Sequence, residues 1–380
     1  MREDLKKLLG CSVDEIDTPA LVIDLDAMER NLARMAAFAK LHKVRLRPHA
    51  KMHKSAELAR LQMEAGAVGV CAQKTAEAEC LADGGVTDIF ISNEVIAPAK
   101  LRRVAALAHK LAAQGGRLAI AVDSVEGITR LATACEAAKA CIDVFIEIDV
   151  GQRRCGVVPG APALALAQQI AMHPQLRFAG LQAYHGAAQH FRTAMERRAA
   201  IGRVTQEVVG TIALMEDAGI KVELVTGAGT GTFALEAASG VYGELQAGSY
   251  LFMDADYARN EADAAQPAFE HALFIKAQVV SVSATHVVCD AGHKSHAVDS
   301  GMPRVWGHGA ESGLEVTVCS DESGVVRGPI LPALGATLWL IPGHCDPTVN
   351  LHDVMIGVRG GLGRGLVERI IRVDARGALT

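Results

Sequence analysis

The sequence predicts an α/β protein: a TIM-type (β/α)8 barrel over 20–265, then a smaller, mostly antiparallel β-domain over 266–380 that residues 1–19 join. Three observations predict it. Short apolar runs alternate with longer helical patterns eight times across 20–265. Runs such as Ile89-Phe90-Ile91 and Leu118-Ala119-Ile120-Ala121-Val122 are apolar throughout, as parallel strands buried on both faces are. After about 265 the long helical patterns stop, and strands separated by Gly/Pro/Ser turns take over.

The barrel strands are expected at 44–50, 66–72, 88–93, 118–123, 142–149, 177–184, 221–226 and 243–248. Between them, Leu25, Met28, Leu32 and Met35 recur at helical spacing behind Asp24 or Asp26 as a cap. Ile128, Leu131, Ala132 and Cys135 repeat that spacing behind Asp123-Ser124. A doubly wound sheet would carry a glycine fingerprint after its first strand, and none stands there. In the second domain, strands are expected at 274–282, 286–290, 314–319, 336–341 and 353–358.

Composition narrows the function. Half of the 380 residues are hydrophobic and 21% are charged, enough for a large core and too apolar for disorder. A formal charge of −5 and a pI near 6.3 leave no basic footprint, which argues against nucleic acid as a partner. No apolar run reaches the ~18 residues of a membrane span. The charged start Met1-Arg2-Glu3-Asp4 is unlike a signal peptide, so a cytoplasmic protein is expected. The nine cysteines agree: they are odd in number, scattered and without a Cys-x-x-Cys.

Barrel active sites are assembled from residues just after the strands. Here those positions hold Lys51, Gln73, Asn93-Glu94, Asp123, Arg154, Tyr184-His185, Gly229-Thr230-Gly231 and Gly248-Ser249-Tyr250. An amine at the end of the first strand is a candidate to form an imine with a carbonyl. The loops after the last two strands are a frequent phosphate site in this fold, and glycines with hydroxyls suit an anion cradle. A phosphate cradle facing an imine-forming lysine is what pyridoxal 5'-phosphate (PLP) requires. Arg154 and Tyr184 would then reach the ring oxygen or nitrogen, and Gln73 is a further cofactor-binding candidate; an ion pair for Arg154 and a core contact for Tyr184 fit the pattern equally well.

A second constellation lies in Pro342-Gly343-His344-Cys345-Asp346-Pro347-Thr348. In an extended segment His344 and Asp346 point to one side and Cys345 to the other. An imidazole with a carboxylate suits Mn²⁺, Mg²⁺, Co²⁺ or Zn²⁺, although two ligands make a weak, water-rich site and a locally hydrogen-bonded turn reads the same way.

At this point the chain resembles the D-threonine aldolases, metal-activated PLP enzymes of the alanine racemase (fold type III) class. The resemblance runs from Thr18-Pro19-Ala20 to the C-terminus. It rests on Pro48-His49-Ala50-Lys51-Met52-His53-Lys54, on Gln182-Ala183-Tyr184-His185-Gly186-Ala187-Ala188-Gln189-His190, on Gly229-Thr230-Gly231, on Glu244-Leu245-Gln246-Ala247-Gly248-Ser249-Tyr250 and on His344-Cys345-Asp346-Pro347-Thr348. Val298-Asp299-Ser300-Gly301 makes it similar in particular to the 3-hydroxy-D-aspartate branch. The related D-serine dehydratases carry His-x-Cys where this chain has His344-x-Asp346. The resemblance implies Lys51 as the Schiff-base lysine, with Arg154 and Tyr184 at the ring. It implies Gly229, Thr230, Gly231, Gly248, Ser249 and Tyr250 as the phosphate cup, and His344 and Asp346 as metal ligands. His190 would lie near the metal and the substrate hydroxyl, and either it or a metal-bound water would remove the hydroxyl proton. The implied reaction is cleavage of D-β-hydroxy-α-amino acids, D-threonine or D-3-hydroxyaspartate, to glycine and an aldehyde, by a homodimer. A dehydratase giving keto acid and ammonia is the alternative.

Overall fold

The computed structural model describes residues 3–307 and 313–380. Its first strand, β1 (Ala20–Asp24), corrects the expected start of the barrel at residue 20, because it lies in the second sheet. Its middle is buried on both faces like that of a barrel strand, so apolar content could not tell the two sheets apart.

Eight parallel strands make the barrel sheet: β2 (Arg45–Leu46), β3 (Val70–Ala72), β4 (Asp88–Ile91), β5 (Arg117–Val122), β6 (Ile142–Glu147), β7 (Leu176–Ala183), β8 (Val225–Gly227) and β9 (Glu244–Leu245). Each overlaps its predicted segment. Sequential neighbours pair from β3 to β9, and β9 pairs with β2. Cys71 N–H donates to Pro48 O and Val68 N–H to Leu46 O, both at 2.9 Å, so β3 also meets the β2 segment and the ring closes. The outer helices start where their caps dictate. Asp24 accepts the Ala27 N–H at the head of Leu25–His42, and Ser124 accepts that of Gly127 at the head of Val125–Ala138. Met28, Met35, Ile128, Leu131 and Cys135 are buried at the predicted spacing.

The barrel interior is divided. Cys71, Phe90, Ala119, Ala121 and Phe145 fill the side of β3–β6 with an apolar cluster. The opposite side is polar. Buried Arg47 pairs with Glu244 (3.0 Å) and Asp88 (2.6 Å), and Glu244 accepts the Thr226 hydroxyl (3.0 Å). Gln246 donates to Thr226 (2.8 Å) and to Gln182 (2.7 Å), which carries the network up to the barrel's C-terminal mouth. Buried charges persist only when paired and hydrogen-bonded in this way.

The second sheet has nine strands: β1, β10 (Leu273–Val282), β11 (Val287–Cys289), β12 (Arg304–Trp306), β13 (Glu315–Cys319), β14 (Gly324–Arg327), β15 (Thr337–Ile341), β16 (Val354–Arg359) and β17 (Leu366–Arg372). Six of them close a ring in the order β10-β11-β14-β13-β12-β15, because β10 pairs with both β11 and β15. A register shift between Val279 and Ser281 lets the long β10 turn from one partner to the next. β1, β16 and β17 extend this ring, with β1 antiparallel to β10 and parallel to β16. Strands β12, β14 and β17 were absent from the expected set; β12 and β14 are three and four residues long. The N-terminal segment belongs here too, since the Lys276 ammonium donates to the carbonyls of Val13, Asp14 and Ile16.

One barrel glycine is indispensable. Gly180 in β7 has φ +143°, and a Cβ there would sit 1.9 Å from Leu224 O. Gly180→Ala is therefore expected to destabilise the protein by about 2–4 kcal/mol, read as a lower urea midpoint. An unchanged midpoint would contradict this close approach.

Candidate active site

The C-terminal ends of the barrel strands face the second sheet across a cavity of about 480 Å³. Lys51 lies on the 3₁₀ turn Ala50–Met52 directly after β2. His49 caps this turn: its Nδ1 accepts the Lys51 N–H (3.3 Å). Its Nε2 therefore carries the proton and faces Gln73 Oε1 (3.2 Å) and Ser92 Oγ (3.1 Å). Burial, reinforced by the Lys51 charge, holds the His49 pKa well below the ordinary histidine value, so the ring is neutral.

The Lys51 amine is 3.5 Å from Asp346 Oδ2 of the second sheet's unit. Burial is the largest influence and depresses its pKa, but Asp346 and Tyr184 together turn the net shift upward. Tyr184, next to it, is pushed up by burial. Arg154 reaches the cavity after β6 and is held loosely, 3.8 Å from Glu147 Oε1. Burial and then the neighbouring Glu94 push the Glu147 carboxyl up to about 8.

At the far strands, Gly229, Thr230, Gly248 and Ser249 line the same cavity. Their backbone N–H groups have no acceptor among the described residues. These amides are what a phosphate needs. The loops depend on close approaches: a Cβ on Gly229 would sit 2.5 Å from Gln189 Oε1, and one on Gly248 would sit 2.7 Å from His49 O. Buried Gln189 is the hub, accepting the Gly231 N–H (2.9 Å) and donating to Thr232 Oγ1 (2.8 Å) and His185 O (3.2 Å). Two expected cup residues lie apart from this lining. The Gly231 amide is used by Gln189, and neither Gly231 nor Tyr250 lines the cavity. The Tyr250 ring turns into the core, its hydroxyl accepting from Gln62 Nε2 (3.2 Å), and its N–H donates to Thr230 Oγ1 (3.0 Å).

The wall opposite carries His190, Asp256, Tyr257, His344 and Asp346. His344 caps the short helix Cys345–Val349, and Asp346 sits in its first turn. The expected extended geometry holds only at His344; the helix start brings the two side chains together, with His344 Nε2 3.8 Å from Asp346 Oδ1. Cys345 points away, as expected, with its thiol directed to Met253 O (3.3 Å). Asp346 Oδ1 is buried without a hydrogen-bond partner among the described residues, while His344 Nδ1 faces Asp299 Oδ2 at 2.7 Å. A carboxylate behind an imidazole is how metal-ligating histidines are oriented. Among the described residues, however, no group of three such side chains converges, so the protein offers two donors.

His190 ends the 3₁₀ turn Ala187–His190, and its Nδ1 is 2.5 Å from Asp256 Oδ2. Sequence reasoning missed His49, Gln189, Asp256 and Tyr257 as parts of the site. Asp256 and Tyr257 follow the last barrel strand's loop by several residues and carry no recognisable motif.

Comparison with known proteins gives the family. The family model of the alanine racemase N-terminal domain matches residues 23–256, and that of a serine dehydratase domain matches 272–358. A D-threonine aldolase of Arthrobacter sp is 47% identical over 97% of this chain and 95% of its own. A 3-hydroxy-D-aspartate aldolase of Paracoccus denitrificans (strain Pd 1222) is 42% identical over 98% and 96%. The crystal structure of D-threonine aldolase from Filomicrobium marinum superposes with a TM-score of 0.94 at 48% identity, covering 98% of this chain and 99% of that one. The chain belongs to the D-threonine aldolase family, built on the alanine racemase fold.

Proposed function

We propose that this aldolase binds PLP at Lys51 and a divalent metal at His344 and Asp346, and cleaves D-β-hydroxy-α-amino acids to glycine and an aldehyde. The observation that carries the proposal is the shared cavity: Lys51, the unpaired amides of four loop residues, and the His190 and His344/Asp346 wall all open into it. The amides of Gly229, Thr230, Gly248 and Ser249 would hold the cofactor phosphate, and Gln73, Arg154 and Tyr184 would flank its ring. PLP bound there supplies an electrophilic carbon to Lys51 and a sink for the electron pair released by Cα–Cβ cleavage. The partnerless Asp346 Oδ1 beside His344 Nε2 fits a metal of intermediate hardness, Mn²⁺, Mg²⁺, Co²⁺ or Zn²⁺. Such an ion supplies Lewis acidity toward the β-hydroxyl.

The chain's own residues do the rest. Lys51 would hold the cofactor through its Nζ. Tyr184, Tyr257 and the loops narrow the site against water. His190 Nε2 takes the β-hydroxyl proton as the C–O bond becomes the carbonyl of the aldehyde. Relatives act on D-threonine or on 3-hydroxy-D-aspartate by name, and both substrates are proposed for this chain. We place the protein in the cytoplasm as a homodimer; no helix among the described residues is long and apolar enough to cross a membrane.

Lys51→Ala is expected to abolish turnover while the far-UV spectrum stays unchanged, since a strand-end lysine contributes little to the core. Borohydride reduction should fix the cofactor on the peptide containing Lys51; a label on Lys54 or Lys74 would refute the assignment. Chelation should remove activity with the cofactor absorbance retained, and Asp346→Ala should mimic it. Full activity after chelation would reduce the His344/Asp346 pair to a structural turn. Product analysis on D-threonine should give glycine and acetaldehyde; keto acid and ammonia would favour the dehydratase.

A further inference from the structure

We propose that Asp256 is a positioning residue that holds His190 in the tautomer with a bare Nε2 facing the cavity. The proposal rests on the reading of His190 as the proton acceptor. A carboxylate oxygen only accepts, so the 2.5 Å contact between Asp256 Oδ2 and His190 Nδ1 places the imidazole hydrogen on Nδ1. The His190 side chain is 51% exposed while that of Asp256 is 5% exposed, so the mobile partner is tied to the fixed one.

Asp256 is itself held from three sides. Its Oδ1 accepts from Arg192 (2.5 Å) and from Arg259. Arg192 also donates to the Asp256 carbonyl (2.8 Å) and to Asn260 Oδ1 (2.6 Å), and Arg259 donates to Ser300 O (2.8 Å). The Asp256 N–H donates to Gly343 O (3.2 Å) beside the His344 turn. Two guanidiniums against one carboxylate keep Asp256 ionised, and its pKa is lowered by these bonds in spite of burial. They also offset its charge.

A purely structural role for the carboxylate is redundant. The loop bearing His190 is tied to the loop bearing Asp256 by other bonds: Glu261 N–H to Arg192 O (2.8 Å), Asn260 Nδ2 to Gln189 O (2.8 Å), and buried Arg197 to Phe191 O (2.8 Å) and Glu261 O (2.5 Å). Asp256→Asn should therefore fold. Its amide oxygen would stay on the arginines and its NH2 would turn to His190, donating to Nδ1 and moving the ring hydrogen to Nε2.

The test is the tautomer of His190, read from long-range ¹H–¹⁵N spectra of the ¹⁵N-histidine-labelled holoenzyme and assigned with His190→Gln. The wild type should show a protonated Nδ1 and bare Nε2, and Asp256→Asn the reverse. In Asp256→Asn, kcat should fall by roughly 10²–10⁴ with KM nearly unchanged, the cost of a wrong tautomer. Asp256→Glu, which still only accepts, should keep the wild-type tautomer and recover part of kcat. An Asp256→Asn protein with the wild-type tautomer would overturn the inference. Near-normal turnover in His190→Gln would instead overturn the reading of His190 on which it rests.

Discussion

The site depends on a junction of two short segments, 253–256 from the barrel's end and 342–345 from the second sheet. Ala255 N–H donates to Pro342 O (3.0 Å) and Asp256 N–H to Gly343 O (3.2 Å). Buried Asp254 locks the pairing from the side, accepting the N–H groups of Tyr257 (2.9 Å) and Cys345 (3.2 Å). This junction sets His344 and Asp346 against Lys51 and sets Asp256 under His190. Hydrogen bonds to the backbone fix position within a few tenths of an ångström, which chemistry at a reacting atom demands.

The cavity carries several groups that the protein alone leaves unpaired. Among the described residues, Asp346 Oδ1 is buried without a partner, and the amides of Gly229, Thr230, Gly248 and Ser249 lack acceptors. Each buried unpaired group costs about 1–3 kcal/mol, so this region is held open by its surroundings. Gln189 bracing the Gly229–Gly231 turn, and the Arg47–Glu244 network beneath Gln246, are those surroundings. An orphaned polar atom lining a cavity is itself a signature of function.

Much of this was legible in the chain. The barrel strands stood out because they are apolar on both faces, and barrel topology then dictates that Lys51, Arg154 and Tyr184 share one end. The motif around His344 was legible, although its geometry is that of a helix start. What failed did so for physical reasons. β1 has a barrel strand's pattern but another sheet's partners, and pattern does not encode partner. Tyr250 follows Gly248 and Ser249, yet its ring packs into the core and only those two line the cavity. Asp256 lies in Phe252-Met253-Asp254-Ala255-Asp256-Tyr257, where two acidic residues look alike in sequence; only the fold shows that Asp254 holds the junction and Asp256 holds His190.

On this reading, one cavity between the two folding units holds a cofactor joined to Lys51 at one end and to the loop amides at the other. A crystal structure of the protein as purified tests it most directly. Continuous electron density from Lys51 Nζ to the amides of Gly229, Thr230, Gly248 and Ser249 is the result the account predicts. Density attached to another lysine, or a phosphate bound away from those four amides, would contradict it.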